Sequence, residues 1–314
     1  MGLRTRHLLL LLLPLICLTF VLLFTASLDV FPKDNNTRAS QTLERAGAWL
    51  RQEEESYRNT LWERVEMIKK LGPPRNIESF PLKDKVYTLW DFFTPAFQCP
   101  YRVSRIGRRG DGGKWVCGIE EIAKKDKCIV YSFGVSRDSS FEAAVLNLAP
   151  GCEVWGYDYN VGMWGPEIYL NKTLSQRAYF FPYGLGPQDH HKKSEAPKMY
   201  TLQSIMGLNG HAHIDILKID IEEDEFEVFR AITDSFDTLP FSQLQLEVHA
   251  WNEHGYFPYF LDWWDMLERA GLRPFWFEPN LVHVNLQRGK RPDVAEYSFL
   301  NIRGSRGLVP ELRF

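Results

Sequence analysis

Residues 128–160 read CIVYSFGVSRDSSFEAAVLNLAPGCEVWGYDYN. An apolar strand over residues 129–133 runs into a small-residue turn at Gly134, then a helix, then a second strand over residues 153–157 that ends on Asp158. A buried strand feeding a turn and a helix is half of a nucleotide-binding βαβ unit. An acid about 20 residues beyond the turn, at the tip of the next strand, sits where such folds hold ribose hydroxyls. Ribose offers two adjacent donors, and an ionised carboxylate has two oxygens to meet them. The turn is not G-x-G-x-x-G, which argues against a dinucleotide with its diphosphate. S-adenosylmethionine carries adenosine and ribose without phosphate, so the pattern points to that cofactor and to methyl transfer.

The 314 residues are enough for one large core or two small ones, and 45% hydrophobic and 14% aromatic residues exclude a disordered chain. A net charge of −3 gives no electrostatic reason to expect a nucleic-acid partner. The amino terminus differs: Arg4, Arg6 and His7 precede a charge-free apolar run over residues 8–24, extended by Thr25, Ala26 and Ser27. At 1.5 Å per residue this spans a hydrocarbon core roughly 30 Å thick. Two readings stay open. In one, residues 1–7 are a cytosolic tail and 8–27 a signal-anchor helix of a single-pass type II protein of the Golgi or endoplasmic reticulum. In the other, the segment is a signal peptide cut near Thr25 and Ser27, and the protein is secreted. Both deliver the remaining chain to the secretory lumen.

Asn35-Asn36-Thr37 and Asn171-Lys172-Thr173 are glycosylation acceptors. Besides Cys17 in the apolar run, Cys99, Cys117, Cys128 and Cys152 allow two disulfides in an oxidising compartment, with three connectivities. Cys99–Cys117 closes a short loop and Cys128–Cys152 ties the starts of two neighbouring strands, so these pairs are expected. There is no Cys-x-x-Cys pair, and His211, His213 and His254 match no metal template with Asp220, so no metal is expected.

Residues 28–85 read as a stem. Within it, residues 40–71 form one amphipathic helix, stopped by Gly72-Pro73-Pro74. Leu43, Leu50, Tyr57 and Leu71 follow a seven-residue spacing interrupted by Glu54 and Arg64. Such a helix either lies on the domain, stands solvated, or joins copies of the chain as a coiled coil. Residues 86–314 form the lumenal domain, with alternating strands and helices that predict an α/β fold. Further strands fit residues 179–183, 214–220, 243–248, 272–278 and 281–285. Helices fit residues 141–148, 224–231 and 259–270, the last offering Phe260, Trp263, Trp264 and Leu267 to a core.

HIDILKIDIEEDEFEVFR, residues 213–230, resembles the strand-loop-helix of FkbM-type methyltransferases, written L-K-I-D-hydrophobic-E-G-x-E. With RIGRRGDGGKWVC (105–117), YSFGVSRDSSFE, EVWGYD, QLQLEVHAW (243–251) and GLRPFWFEPN (271–280), the chain is similar to the methyltransferase-like protein 24 group over about residues 97–302. The resemblance implies a Rossmann-like sheet holding S-adenosylmethionine at the carboxyl ends of its first strands. Gly134 matches the glycine of the cofactor turn, Asp158 the ribose-binding acid, and Asp220 and Glu222 the acids of the K-I-D-x-E strand. One position departs: the family's glycine is Glu223 here, followed by Asp224. A glycine there allows close approach or an unusual backbone angle.

Cofactor contacts are expected from Gly134, Ser139, Asp158 and Asp220. Asp220 ends its strand and so faces the crevice where such sheets bind ligands. Glu247 and His249 flank Val248 and emerge on one face of the next strand. With Asp220 and Glu222 they form the expected catalytic set, His249 as general base. Arg102, Arg105, Arg108, Arg109 and Lys114, interleaved with Gly110, Asp111, Gly112 and Gly113, suggest a mobile flap, with Arg109, Asp111 and Lys114 touching the substrate. Trp115, Trp251 and Trp276 offer stacking surface.

These readings converge on a lumenal S-adenosylmethionine-dependent methyltransferase of a small molecule or glycan, acting on oxygen. Two alternatives remain: a type II membrane glycosyltransferase, whose D-x-D motif has only the poor substitutes Asp158-Tyr159-Asn160 and Asp220-Ile221-Glu222, and a catalytically degenerate methyltransferase fold, suggested by Glu223.

Overall fold

The computed structural model describes residues 35–286, 291–304 and 308. It divides into two compact units, residues 1–45 and 46–314. Of the first, only the start of a helix from Asn35 is described, so the expectations for residues 1–34, tail and membrane anchor included, lie outside the described residues. Among those described, no helix is long and apolar enough to cross a membrane.

The strands are β1 (Val103–Ile106), β2 (Lys114–Cys117), β3 (Cys128–Phe133), β4 (Cys152–Tyr157), β5 (Ala178–Phe181), β6 (Gly184–Leu185), β7 (Met199–Tyr200), β8 (Ile214–Ile219), β9 (Phe241–His249), β10 (Leu272–Pro279) and β11 (Val294–Asn301). The helices of six residues or more are α1 (Asn35–Leu71), α2 (Ser140–Leu148), α3 (Leu202–Asn209), α4 (Glu225–Ser235), α5 (Phe257–Arg269) and α6 (Leu281–Leu286). Seven strands form one sheet in the order β10-β11-β9-β8-β3-β4-β5, in which β11 alone runs against the rest.

β3, β8 and β9 are buried along their whole length, and the polar side chains of β9 are covered because Gln243 and Gln245 hydrogen-bond the backbone of β2. On one face Phe226, Phe229, Phe260, Trp263 and Trp264 pack over Leu217, Leu244 and Leu246. On the other, Phe141, Val145 and Leu146 of α2 cover Val130, Val154 and Ile216. The four apolar residues expected on α5 are all fully buried. From β3 the chain steps through β4 to β5, then returns to β8 on the opposite side of β3. That reversal opens a crevice beyond the carboxyl ends of β3 and β8, where Gly134 and Asp220 follow their strands.

Two expectations change. Leu50 and Tyr57 of the expected seam are buried with Phe97, Phe275 and Leu300 of the same chain, so they are not free to join another copy. Glu54 and Arg64, which break the apolar spacing, are the polar contacts that hold the helix down: Glu54 pairs with Arg273 at 2.6 Å and Arg64 with Glu268 at 2.7 Å. Residues 281–285 are not a strand but lie in α6, because the Asn280 side chain accepts the His283 N–H at 2.9 Å and starts a helix. The strand that follows in the chain is β11, which lies between β9 and β10.

Both expected disulfides are present. Cys99 and Cys117 have Cα atoms 5.9 Å apart. Cys128 and Cys152 are paired neighbours at the starts of β3 and β4. Two such bonds fit an oxidising compartment.

Candidate active site

A cavity of about 510 Å³ opens at the carboxyl ends of β3, β4, β8 and β9. Gly134, Asp158, Asp220, Glu222, Glu247 and His249 all line it, as does Asp111. Ser139, Arg109 and Lys114 do not.

Gly134 has φ +73°, and a Cβ there would lie 1.6 Å from the Asp220 carbonyl oxygen. Glycine is required at this turn so that two strand ends can cross. Beneath the crossing, the buried Lys218 ammonium donates to the Gly134 carbonyl at 2.6 Å and lies 3.8 Å from Asp220. Lys218 and Asp220 are two residues apart on one strand face, a signal present in the K-I-D triplet.

Asp158 projects from the tip of β4. Its Oδ2 accepts the Ser136 N–H and its Oδ1 the Asn160 N–H, both at 2.7 Å. It therefore fixes the cofactor-side loops, and each oxygen keeps a lone pair for a ligand. Tyr159, Leu185 and Met199 add apolar wall beside it. The acid and the apolar wall fit an adenosine.

Ser139 is a correction. It is fully buried, its Oγ accepts the Gly165 N–H at 2.8 Å and its N–H donates to Glu167 at 3.1 Å, so it pins a loop behind the turn. Lys114 is a second correction: 1% exposed, it is no part of a mobile flap. Its ammonium meets Glu296, Glu247 at 3.2 Å and Asp220 at 3.6 Å. Arg109 is exposed and outside the cavity. Arg108 pairs with Asp138, and Arg105 with Glu278 at 3.2 Å. Of the tryptophans, Trp251 lines the cavity, whereas Trp115 and Trp276 stack on each other elsewhere.

The acidic end of β8 carries unusual backbone. Glu222 and Glu223 have φ of +56° and +86°. The glycine-type angle is thus kept at Glu223 although the glycine is not, at a cost of about 1–2 kcal/mol per residue. Glu225 holds the loop, accepting the Ile221 N–H at 2.9 Å and the Glu223 N–H at 3.0 Å. The Glu223 side chain turns aside to His254 and Asn252. Glu225 was hidden in a run of acids that reads as an ordinary helix start.

His249, 3% exposed, hydrogen-bonds Glu225 through Nδ1 at 3.0 Å. Burial would lower its pKa, but Glu225 outweighs that and raises it to about 9. An imidazole already protonated at neutral pH cannot take a proton, so the general-base reading of His249 fails for this state. Burial, reinforced by Glu247, pushes Asp220 up to about 7 against Lys114 and Lys218. Glu247 moves the other way. Burial is outweighed by Lys114, so its carboxyl is held well below the usual range, and Asn280 donates to it at 2.7 Å.

Ligand atoms of Asp220, Glu222 and His249 lie within 4.8 Å of one another. The histidines considered with Asp220 are elsewhere. His211 bonds Tyr131 at 2.8 Å, His213 faces Ser242 at 2.8 Å, and His254 faces Glu223.

A family model described as a methyltransferase domain matches residues 57–290. The chain is similar to "Probable methyltransferase-like protein 24" of Rattus norvegicus, 30% identical over 138 residues, which is 42% of this chain and 36% of that protein. The Homo sapiens protein of the same name is 30% identical over 132 residues, 40% of this chain and 34% of its own length. The matches span about a third of these relatives' length. Among solved structures, a Methanococcus jannaschii fibrillarin pre-rRNA processing protein aligns at 12% identity and a TM-score of 0.34, over 57% of this chain and 68% of that one. S-adenosylmethionine is the usual methyl donor of such domains. Matched over most of its length and built on the expected sheet, the chain belongs to the methyltransferase domain family.

Proposed function

We propose that this cavity binds S-adenosylmethionine and that the protein methylates an oxygen of a small-molecule or glycan acceptor in the secretory lumen. The observation that carries the reading is the charge of the wall. Asp111, Asp158, Asp220, Glu222, Asp224 and Glu247 line it, and among the described residues it has no Lys or Arg. Such a wall attracts a sulfonium and repels the diphosphate of a nucleotide sugar. Asp158 would hold the ribose hydroxyls, with Tyr159, Leu185 and Met199 against the base.

When bound, the cofactor supplies a methyl group on a positively charged sulfur leaving group. The chain's part is to hold donor and acceptor in line and to keep water out. No covalent intermediate with the protein is needed. Glu247 and Lys114 fix the floor of the site, and Asp220, on the end of β8, faces the point where donor and acceptor meet.

Asp158→Asn tests the reading. Hydrogen bonds to a charged group are worth roughly 1.5–3 kcal/mol, so affinity for S-adenosylmethionine should fall about 10- to 150-fold by calorimetric titration. A folded variant that binds like the wild type would rule out the ribose role.

A further inference from the structure

We propose that Asp220, Glu222 and His249 form a binding site for one divalent transition-metal ion on the wall of the cavity. Their use in catalysis rests on the methyl-transfer reading above; the metal site itself does not.

The three side chains come from two neighbouring strand ends, β8 and β9, and offer two carboxylate oxygens and one imidazole nitrogen within 4.8 Å of one another. Ligands at about 2.0–2.2 Å from one ion sit roughly 3–3.5 Å apart in tetrahedral or octahedral arrangements. The His249 Nε2 to Glu222 Oε2 distance of 3.7 Å is close to that value and too long for a hydrogen bond. Small rotations of Glu222, whose side chain is 74% exposed, would close it.

A second feature is independent of the acids' proximity. His249 is buried, and its Nδ1 is fixed by the buried Glu225 at 3.0 Å. A carboxylate on one imidazole nitrogen orients the ring and presents the other nitrogen, the arrangement that supports metal-bound histidines. Here the presented Nε2 faces Glu222 and the cavity. The same Glu225 anchors the loop that carries Glu222 through two backbone N–H groups. One side chain therefore positions two of the three ligands.

The surrounding charge also has room for a dication. Binding would release the Nε2 proton of His249 and ionise Asp220; among the described residues the carboxylates of Asp220, Glu222, Glu225 and Glu247 then meet the ammonium groups of Lys114 and Lys218. Mixed carboxylate and imidazole donors suit manganese or zinc rather than magnesium or calcium. Three protein ligands would leave positions open toward the cavity, where an acceptor oxygen could reach the ion.

The test is titration of the purified, chelator-treated protein with Mn²⁺ or Zn²⁺ alone, followed by calorimetry and, for Mn²⁺, by paramagnetic resonance. One saturable ion per chain is expected. Glu222→Gln, at an exposed position where folding is not at stake, should weaken it by more than about 100-fold, since even an outer partner costs 10–100-fold. Glu223→Gln, whose carboxylate meets His254 and Asn252 instead, should leave it unchanged. Lack of saturable binding of both ions, or Glu222→Gln binding like wild type, would overturn the site. S-adenosylmethionine affinity measured on the chelated protein separates the two claims: cofactor binding without metal binding removes only the ion.

Discussion

Replacing Arg64 with Leu asks whether α1 belongs to the catalytic domain or stands apart as a stem. Arg64 is 6% exposed. Its guanidinium donates to the Phe92 carbonyl at 2.8 Å, to Glu268 at 2.7 and 3.1 Å and to Asp265 at 3.4 Å, and lies 4.9 Å above the Phe93 ring. Glu268, with its side chain 11% exposed, also accepts from Tyr57 and from Trp264. Arg64→Leu removes the cation and leaves that carboxylate nearly buried and uncompensated. Breaking one side of a buried pair costs about 3–5 kcal/mol, a melting temperature lower by roughly 6–20 °C at this size. Adding Glu268→Gln removes the stranded charge but keeps an acceptor for Tyr57 and Trp264, so the double variant should be more stable than Arg64→Leu alone. Urea unfolding of the purified variants reads both effects. A loss under about 1 kcal/mol, the level of a surface pair, would refute the docked helix.

Gly134→Ala should cost at least about 2 kcal/mol, because the left-handed angle is unfavourable and the new Cβ would meet the Asp220 carbonyl; a variant unfolding like wild type would refute that crossing. Because Glu225 raises His249 from 6.5 to about 9, the pair favours folding fully below pH 6.5, and this contribution is lost as pH rises through 9. In metal-free protein the stability gap between wild type and His249→Asn should therefore shrink over that window by an amount on the order of 3 kcal/mol, and a constant gap would contradict it. Thiol labelling of the denatured, unreduced protein should leave Cys99, Cys117, Cys128 and Cys152 unmodified; labelling of any of them would remove a disulfide whose loss otherwise costs about 2–5 kcal/mol.

In the parallel half of the sheet β3 was legible as a nearly continuous apolar run and β9 by its alternation of apolar and polar residues, and the crevice followed from strand ends marked by Gly134, Asp158 and Asp220. α6 and β11 were not legible: residues 281–285 are apolar enough for a strand, and only the local bond from Asn280 decides otherwise. Lys114 illustrates a harder limit. In sequence it is one of several basic residues among glycines, whereas its burial depends on carboxylates more than 100 residues away. Strand alternation puts Glu247 and His249 on one face and the strand end puts Asp220 at the crevice, but the proton state of His249 is set by Glu225, which no spacing rule connects to it.

Titration with S-adenosylmethionine, followed by thermal unfolding, tests the central claim most directly. At 100 times its dissociation constant the cofactor should stabilise the protein by about 2.7 kcal/mol, with one site per chain by calorimetry and no comparable effect from a nucleotide sugar. Stabilisation by the nucleotide sugar and none by S-adenosylmethionine would contradict the assignment of this acidic cavity to methyl transfer.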